Sequence, residues 1–259
     1  MSIQITTLLI KELRDQTGIS VMQCKRALEE AEGDTNKALA ILKKTSSDIA
    51  LKKGDRVAKD GRVYIKQDAG KAVLVALHCE TDFVAQNEDF VNLSQTLGDM
   101  AFEKGIEVMR EASKDLINPI IQKTGENIQL GECFEVTGTT VGSYVHMNKM
   151  GVIVSLVGGN TDVARDIAMH ITAMKPEYMN ESEISEDTKT TMNEIFTKEV
   201  ACIDKGDDIK KKMLEGKIST YFKEKTLVNQ PFIKNGDQTI GQLLEQNTAT
   251  LKEVKRYSI

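Results

Sequence analysis

The chain has 259 residues, of which 40% are hydrophobic and 28% are charged. This length is enough for one large domain or about two to three smaller ones. The formal net charge is −5, and acidic and basic residues are interspersed along the chain. This distribution argues against a broad basic face for nucleic acid, so a protein is the expected partner.

The cysteines and the apolar runs set further limits. The four cysteines stand singly, without a Cys-x-x-Cys spacing, and predict neither a zinc or redox motif nor a secreted disulfide framework. Residues 1–3 lead into a helical pattern without the features of a secretory leader, and no apolar run reaches the roughly 18 residues of a membrane span. We therefore expect a cytoplasmic protein without a membrane partner. The cysteines are Cys24, Cys79, Cys133 and Cys202.

The first 45 residues contain three short segments with apolar residues at helical spacing. Gly18 and Gly33 separate the segments, and Ser20 and Asp34 are suitable N-caps for the second and third helices. Residues 1–45 are therefore predicted to form a three-helix bundle. Such a bundle either docks a partner or only packs on the rest of the chain.

The next segment, 46–60, is predicted to be a linker. Small and charged residues dominate it, and no apolar stripe is sustained. We interpret its basic cluster, 52–56, as a solvated connector rather than a contact with an acidic surface.

An internal repeat follows the linker, since Tyr144 lies 80 positions after Tyr64. In each copy the tyrosine is followed by an apolar strand pattern, at 72–77 and at 151–157, and then by a helical pattern. At the same spacing, Val73 and Leu77 correspond to Ile153 and Val157. The repeat predicts a duplicated α+β core with antiparallel sheets. Its first half spans 61–140, and its second half spans 141–182 and 226–259.

The repeat leaves two alignments open for the helix that follows the strand. Thr161-Asp162 corresponds either to Thr81-Asp82 or to Glu88-Asp89. In the second alignment, residues 81–87 are an insertion that the other half lacks. In both alignments, the second half has no counterpart of Phe83.

Residues 183–225 have a helical composition that is broken by polar residues at 204–208. This pattern predicts an antiparallel hairpin of two helices inserted in the second half. We expect the apolar positions of the two helices to face each other. They are Ile195, Phe196, Val200 and Ile203 on the first helix, and Ile209, Met213, Leu214 and Ile218 on the second.

The stretch from Cys79 to Asn87 sets an aromatic side chain and a carboxylate between a strand pattern and a helix pattern. Asn87 is a suitable N-cap for the helix, so Phe83 is predicted to lie at a strand-to-helix corner. Two interpretations of Phe83 remain open from the pattern alone. Either it folds back into the core, or it stays exposed as an anchor for a partner.

No catalytic residue, cofactor or metal is predicted. Gly158 and Gly159 precede a helix, but the third glycine of a dinucleotide motif is missing, and no Gly-Lys-Ser/Thr occurs. His78 and Cys79 are adjacent on a strand and therefore point to opposite faces, which disfavours a Cys-His pair. Three widely spaced histidines do not define a metal site.

Five stretches in order along the chain carry recognisable motifs: 13–28 (LRDQTGISVMQCKRAL), 81–87 (TDFVAQN), 142–146 (GSYVH), 167–177 with IAMHI and KPE, and 230–244 with QPF and TIGQLL. Together they resemble the elongation factor Ts family, whose members are nucleotide exchange factors for elongation factor Tu. The resemblance implies that the N-terminal bundle folds like a ubiquitin-associated domain and that the hairpin is a protruding coiled coil.

The resemblance also implies a mechanism. The factor binds elongation factor Tu in its GDP-bound and nucleotide-free forms and promotes GDP release. Phe83 is implied to wedge between two helices of the GTPase domain, which displaces the magnesium ion. Thr81, Asp82 and Val84 are implied to hold the wedge and to perturb the magnesium side.

Further partner contacts are implied for four residues outside this segment. Arg14, Val21 and Met22 would contact the GTPase domain, and His146 would contact a more distal domain of the partner. Without the resemblance, Arg14 is an ordinary exposed charge, Val21 and Met22 belong to the bundle core, and His146 is a surface histidine.

Three residues depart from the family signature, and two other functions are also open. Ala76, His78 and Gln86 stand where the signature more often has Glu, Asn and a basic residue, which affects the expected local affinity. One rival is a protein-binding adaptor that uses the bundle and the hairpin without acting on a nucleotide. Another is a thiol hydrolase that uses Cys79.

Overall fold

Three helices begin the part of the chain that the computed structural model describes, residues 5–259. The side chains of Ser20 and Asp34 accept hydrogen bonds from backbone N–H groups in the first turns of the second and third helices. Gly18 takes the left-handed conformation (φ 66°) that ends the first helix. Residues 1–4, which include the start considered for a leader, lie outside the described residues. The helices are α1 (Thr7–Thr17), α2 (Val21–Glu30) and α3 (Thr35–Lys53).

Helix α3 continues into the region predicted as a linker, 46–60, and ends only at Lys53. Ser46 is buried, and its hydroxyl donates to a carbonyl one turn earlier in the helix at 2.9 Å. Ile49 packs against the core of the first sheet. The linker prediction is therefore wrong over its first half. The packed face of the helix carries a buried serine among charged neighbours, so the sequence shows no apolar stripe there.

The first sheet has three antiparallel strands in the order β1-β2-β3, and the helices between the second and third strands cover one face. Val73, Val75 and Leu77 point into the core beneath these helices, where Phe90 and Leu97 meet them. The strands are β1 (Asp60–Gln67), β2 (Lys71–Cys79) and β3 (Gln129–Thr137), and the helices are α4 (Asp82–Gln86), α5 (Glu88–Lys104) and α6 (Ile106–Thr124).

The second sheet has the order β4-β5-β8 and is also antiparallel. Its outer face packs on α7 and α10, and its inner face meets the first sheet through Val141 and Ile153, against Val63 and Leu74. The predicted α+β fold with antiparallel sheets is thus confirmed. The elements of this half are β4 (Thr140–His146), β5 (Met150–Val157), α7 (Thr161–Met174), β6 (Pro231–Phe232), β7 (Asn235–Thr239), α10 (Ile240–Gln246) and β8 (Thr250–Ser258). Strands β6 and β7 pair with each other in a separate two-stranded sheet.

Strand register corrects the spacing of the repeat. Tyr64 pairs with Val75, whereas Tyr144 pairs with Val152, so the second hairpin is shorter than the first. The predicted match of Val73 with Ile153 is wrong, because Val73 faces the helices and Ile153 faces the other sheet. A shift by an odd number of residues moves a strand's side chains to the opposite face.

The structure also decides between the two helix alignments. Asn87 caps α5 and Asn160 caps α7, so Glu88-Asp89 corresponds to Thr161-Asp162. The single-turn helix α4 lies before the cap of α5, whereas 158–160 connect β5 directly to α7. The insertion in the first half therefore lies within 81–86, because the cap Asn87 has its counterpart in Asn160.

The predicted helical hairpin consists of α8 (Glu186–Ala201) and α9 (Asp207–Lys225). Val200 is buried in its seam, and the rings of Phe196 and Tyr221 meet edge to face with centroids 5.6 Å apart. Ile195 and Ile209, which were expected in the seam, are exposed instead. No helix within residues 5–259 has both the length and the apolar composition that a membrane crossing requires.

Candidate functional site

The segment that carries Phe83 is a short structure with its own cap. The hydroxyl of Thr81 accepts a hydrogen bond from the backbone N–H of Val84 at 3.4 Å and so begins α4. Ala85 is buried, and the half-buried Val84 packs against the core of the first sheet. Phe83 lies on the opposite side of the turn and is 84% exposed. The core interpretation of Phe83 is therefore excluded.

A carboxylate from another part of the chain braces this segment, which we call the Phe83 turn (residues 80–87). Glu126 lies between α6 and β3 and accepts three hydrogen bonds. The backbone N–H groups of Glu80 and Thr81 each donate at 3.0 Å, and the Thr81 hydroxyl donates at 2.6 Å. In return, the Glu80 carboxylate accepts from the backbone N–H of Asn127 at 2.7 Å.

The remaining polar residues of the Phe83 turn face solvent. Asp82 is the first helical residue of α4 and is exposed, where the positive end of the helix favours its charge. Gln86, one of the departures from the family signature, is also exposed. Ala76 is buried in β2, and His78 is half-buried. Gln86 is therefore the departure that alters the exposed surface beside Phe83.

Cys79 and His78 do not form a nucleophilic pair. Cys79 is buried, its thiol donates to the Thr81 carbonyl at 3.1 Å, and burial raises the thiol pKa to about 12. The His78 ring points to the other side of β2 and forms a hydrogen bond with the Tyr257 hydroxyl at 2.8 Å. Burial lowers the pKa of His78. The Cys79 thiol, with its raised pKa, stays protonated near neutral pH and is a poor nucleophile.

The bundle contributes a second exposed surface at the turn between α1 and α2. Arg14 is exposed, and Val21 and Met22 are 49% and 58% exposed. Val21 and Met22 are therefore surface residues and not bundle core. A Cβ atom at Gly18 would lie 3.1 Å from the ammonium of Lys123, which places this turn against the end of α6.

Lys123 connects the α1–α2 turn to the first half of the core. Its ammonium lies 2.5 Å from the Asp89 carboxylate, in the first turn of α5. In the chain, only Glu88 separates Asp89 from the Phe83 turn. The proximity of Gly18 and Asp89 to the same lysine therefore brings the α1–α2 turn near the first turn of α5.

His146 lies at the end of β4, exposed to solvent, with its ring stacked on Tyr144 at a centroid distance of 6.3 Å. The adjoining tight turn is held to the first sheet, because Lys149 pairs with Asp60. Asp60 is opposite Cys79 in the strand register. His146 thus lies toward the end of the sheets from which the Phe83 turn begins.

Some surface residues next to these positions have no motif that would have predicted them. Met147 follows His146 in a left-handed turn conformation (φ 49°) and is 78% exposed. Glu126 lies 45 positions from Thr81 in sequence. A lone methionine or glutamate carries no local signal of this kind, and only the fold brings these residues to the site.

The composition of the site indicates the class of protein. The site consists of exposed apolar side chains on braced turns, which is the composition of a protein-docking surface. Residues 5–259 contain no cluster of three or more His, Cys, Asp or Glu side chains arranged to hold a metal ion. The exposed apolar side chains therefore mark a surface of the kind that docks another protein.

Comparison with known proteins supplies the family. The sequence model described as Elongation factor TS matches residues 80–259. The chain is 37% identical to the elongation factor Ts of Thioalkalivibrio sulfidiphilus over an alignment of 270 residues. This alignment covers 98% of this chain and 92% of the relative. The elongation factor Ts of Hahella chejuensis is 36% identical over 262 residues, with 98% of this chain and 92% of the relative covered. That of Pseudomonas aeruginosa strain LESB58 is 35% identical over 263 residues, with 99% of this chain and 91% of the relative covered.

The chain belongs to the elongation factor Ts family, as its motifs predicted. The relatives cover the N-terminal bundle as well as the core, whereas the family model begins at Glu80, the first residue of the Phe83 turn.

Proposed function

We propose that this chain is a guanine nucleotide exchange factor for elongation factor Tu that acts by inserting Phe83 into the GTPase domain. The observation that carries the proposal is the 84% exposure of Phe83 on a turn whose backbone is braced from outside. Full burial of such a side chain is worth about 1.5–3 kcal/mol, which is realised only when a partner covers it. The names of the relatives support the choice of partner.

The proposed mechanism is allosteric and requires no covalent chemistry. Phe83 separates two helices of the partner and Asp82 perturbs its magnesium side, while Thr81 and Val84 hold the wedge in place. The displaced magnesium no longer supports the phosphates, so GDP leaves. Because linkage is reciprocal, the chain must bind the nucleotide-free partner more tightly than the GDP form.

In this proposal, the other exposed residues contact two different domains of the partner. Arg14, Val21 and Met22, in the N-terminal bundle, contact the GTPase domain, and His146 contacts a more distal domain of the partner. Residues 1–45 then serve as a docking domain, and the factor works in the cytoplasm, where it meets elongation factor Tu.

Release of fluorescent GDP from elongation factor Tu, with excess unlabelled GDP, tests the proposal. The intact chain is expected to accelerate release, and Phe83→Ala is expected to lose the acceleration while remaining folded. Leu51→Ala is a matched control, because Leu51 is also an exposed apolar side chain (79%) but lies on α3. Confirmed binding without acceleration would contradict exchange and leave the adaptor function.

A further inference from the structure

The end of α6 approaches the Phe83 turn closely. Gly125 ends α6 in the left-handed conformation (φ 79°), which turns the chain toward residues 80 and 81. Its carbonyl accepts a hydrogen bond from the ammonium of Lys53, at the end of α3. Glu126 follows directly and is half-buried. The glutamate thus lies on backbone that two helices hold in place.

Hydrogen bonds run in both directions between residues 80–81 and residues 126–127. Its carboxylate accepts from two successive backbone N–H groups and from the Thr81 hydroxyl, as described above. The adjacent Asn127 is buried, and its side-chain amide donates to the carbonyl of Arg56 at 2.6 Å. Its backbone N–H donates to the Glu80 carboxylate. Residues 80–81 and 126–127 therefore form one hydrogen-bonded unit.

We propose that Glu126 is a positioning residue for nucleotide exchange, which fixes the start of α4 and therefore the direction of Phe83. This inference rests on the proposed exchange function. Helix α4 has five residues, which is too short for a helix to be stable without support. Hydrogen bonds to a charged acceptor are stronger than neutral ones, so the carboxylate supplies much of this support.

The carboxylate acts through Thr81 and not by touching the partner. Without it, the Phe83 turn samples many conformations, and inserting Phe83 must first order them. The cost falls on the step in which Phe83 enters the partner. The rate of GDP release at saturating factor is therefore expected to fall, whereas the factor concentration for half-maximal rate changes less, because other surfaces also dock.

The test compares Glu126→Gln with Glu111→Gln, which removes the same charge from an exposed position on α6. We expect Glu126→Gln to lower the saturating rate of GDP release by about tenfold, and Glu111→Gln to leave it unchanged. A merely structural role would reduce the amount of folded factor, which shifts the half-maximal concentration and leaves the saturating rate intact. That result, or a wild-type rate for Glu126→Gln, would overturn the proposal.

A second measurement does not depend on exchange. The chain has no tryptophan, so Phe83→Trp places a single indole at the tip of the turn. Time-resolved fluorescence anisotropy is expected to show faster local motion when Glu126→Gln is added, and no change when Glu111→Gln is added. An indole that is equally immobile with and without the Glu126→Gln substitution would refute the positioning role. If the intact chain fails to accelerate GDP release, the exchange function fails, while the anisotropy still decides the role of Glu126.

Variants of Thr81 examine the same hydrogen bond from the exposed side, should Glu126→Gln not fold. Thr81→Ser keeps the hydroxyl and is expected to have a higher saturating rate than Thr81→Val, which removes it. If Glu126→Gln does fold, combining it with Thr81→Val is expected to cost less than the two separate effects together, because both changes remove one interaction. Full additivity would contradict the coupling.

Discussion

The two strand-to-helix corners of the duplicated core differ although the sheets beside them are alike. In the first half, the chain leaves β2, forms the extra turn α4 and exposes Phe83. In the second half, Gly158 and Gly159 take left-handed conformations and bring the chain directly to the cap of α7. The scaffold provides stability in both halves, and the insertion adds an exposed aromatic side chain in only one.

The contact environment of each corner explains the difference. A Cβ atom at Gly158 would overlap the carbonyl oxygen of Thr248, so the second corner is closed against the chain before β8. The first corner is held open by Glu126, which occupies the backbone donors of the turn without covering Phe83. A corner can thus be rigid and exposed when its support comes from the side.

The largest effect is expected at Phe83. Phe83→Ala should lower the acceleration of GDP release roughly a hundredfold, since buried aromatic anchors often carry about 3 kcal/mol at an interface. The free energy of unfolding should change by less than about 0.5 kcal/mol, because the side chain is exposed in the free protein. Denaturant unfolding beside the exchange assay separates the two. A large loss of stability would show that Phe83 supports the fold.

The opposite pattern is expected at the second corner. Gly158→Ala should destabilise the protein by about 2 kcal/mol, because alanine disfavours the left-handed conformation and its Cβ would meet the Thr248 carbonyl. At a temperature where the variant is folded, its saturating rate of GDP release should equal that of the intact chain. A variant that stays stable but loses exchange would mean that the second corner also acts on the partner.

A titration distinguishes the halves further. His170 on α7 is buried and lies where α5 has the apolar Leu97, given the alignment of the two caps. Its Nδ1 accepts from the backbone N–H of Ile233 at 3.3 Å, and its Nε2 lies 2.9 Å from the side-chain oxygen of Gln230. The accepting Nδ1 assigns the proton to Nε2, and burial lowers the pKa of the ring.

Stability should therefore fall as the pH drops below about 6.5, where the unfolded chain takes up a proton that folded His170 resists. His78 contributes in the same direction, because burial also lowers its pKa. Above this pH the full contribution is present. Urea unfolding between pH 7.5 and 5 should show a shallower dependence for His170→Leu than for the intact chain. Identical slopes would refute this assignment.

The smallest effect is expected at the contact between the first corner and the bundle. Lys123→Met removes the ion pair with Asp89, whose two side chains are about one-third exposed, and should cost about 0.5 kcal/mol of stability. Lys114→Met is the control, because Lys114 is exposed on the same helix. Thermal unfolding at low and high salt measures both. A loss above about 2 kcal/mol would indicate that the pair does more than join two surfaces.

Local patterns were sufficient for much of this architecture. Asn87 and Asn160 cap helices, and the apolar run before each corner forms a strand, because these signals act within a few residues. The length of α3 and the register of the repeat were not predicted correctly. Ser46 is polar in sequence but buried against another helix, and register depends on pairing between strands.

The candidate site was predictable to a similar degree. The motif identified Phe83, but its exposure depends on long-range packing that periodicity does not contain. Val21 and Met22 looked apolar enough for the bundle core and lie on the surface instead. Glu126 carries no local signal, because its role arises from contacts with residues far away in the chain.

The affinity of the chain for elongation factor Tu, measured by titration calorimetry with and without bound GDP, tests the central claim most directly. Exchange by insertion predicts tighter binding to the nucleotide-free partner, and a preference that largely disappears in Phe83→Ala. Equal affinities for the two forms, with the intact chain fully folded, would contradict the account and indicate an adaptor.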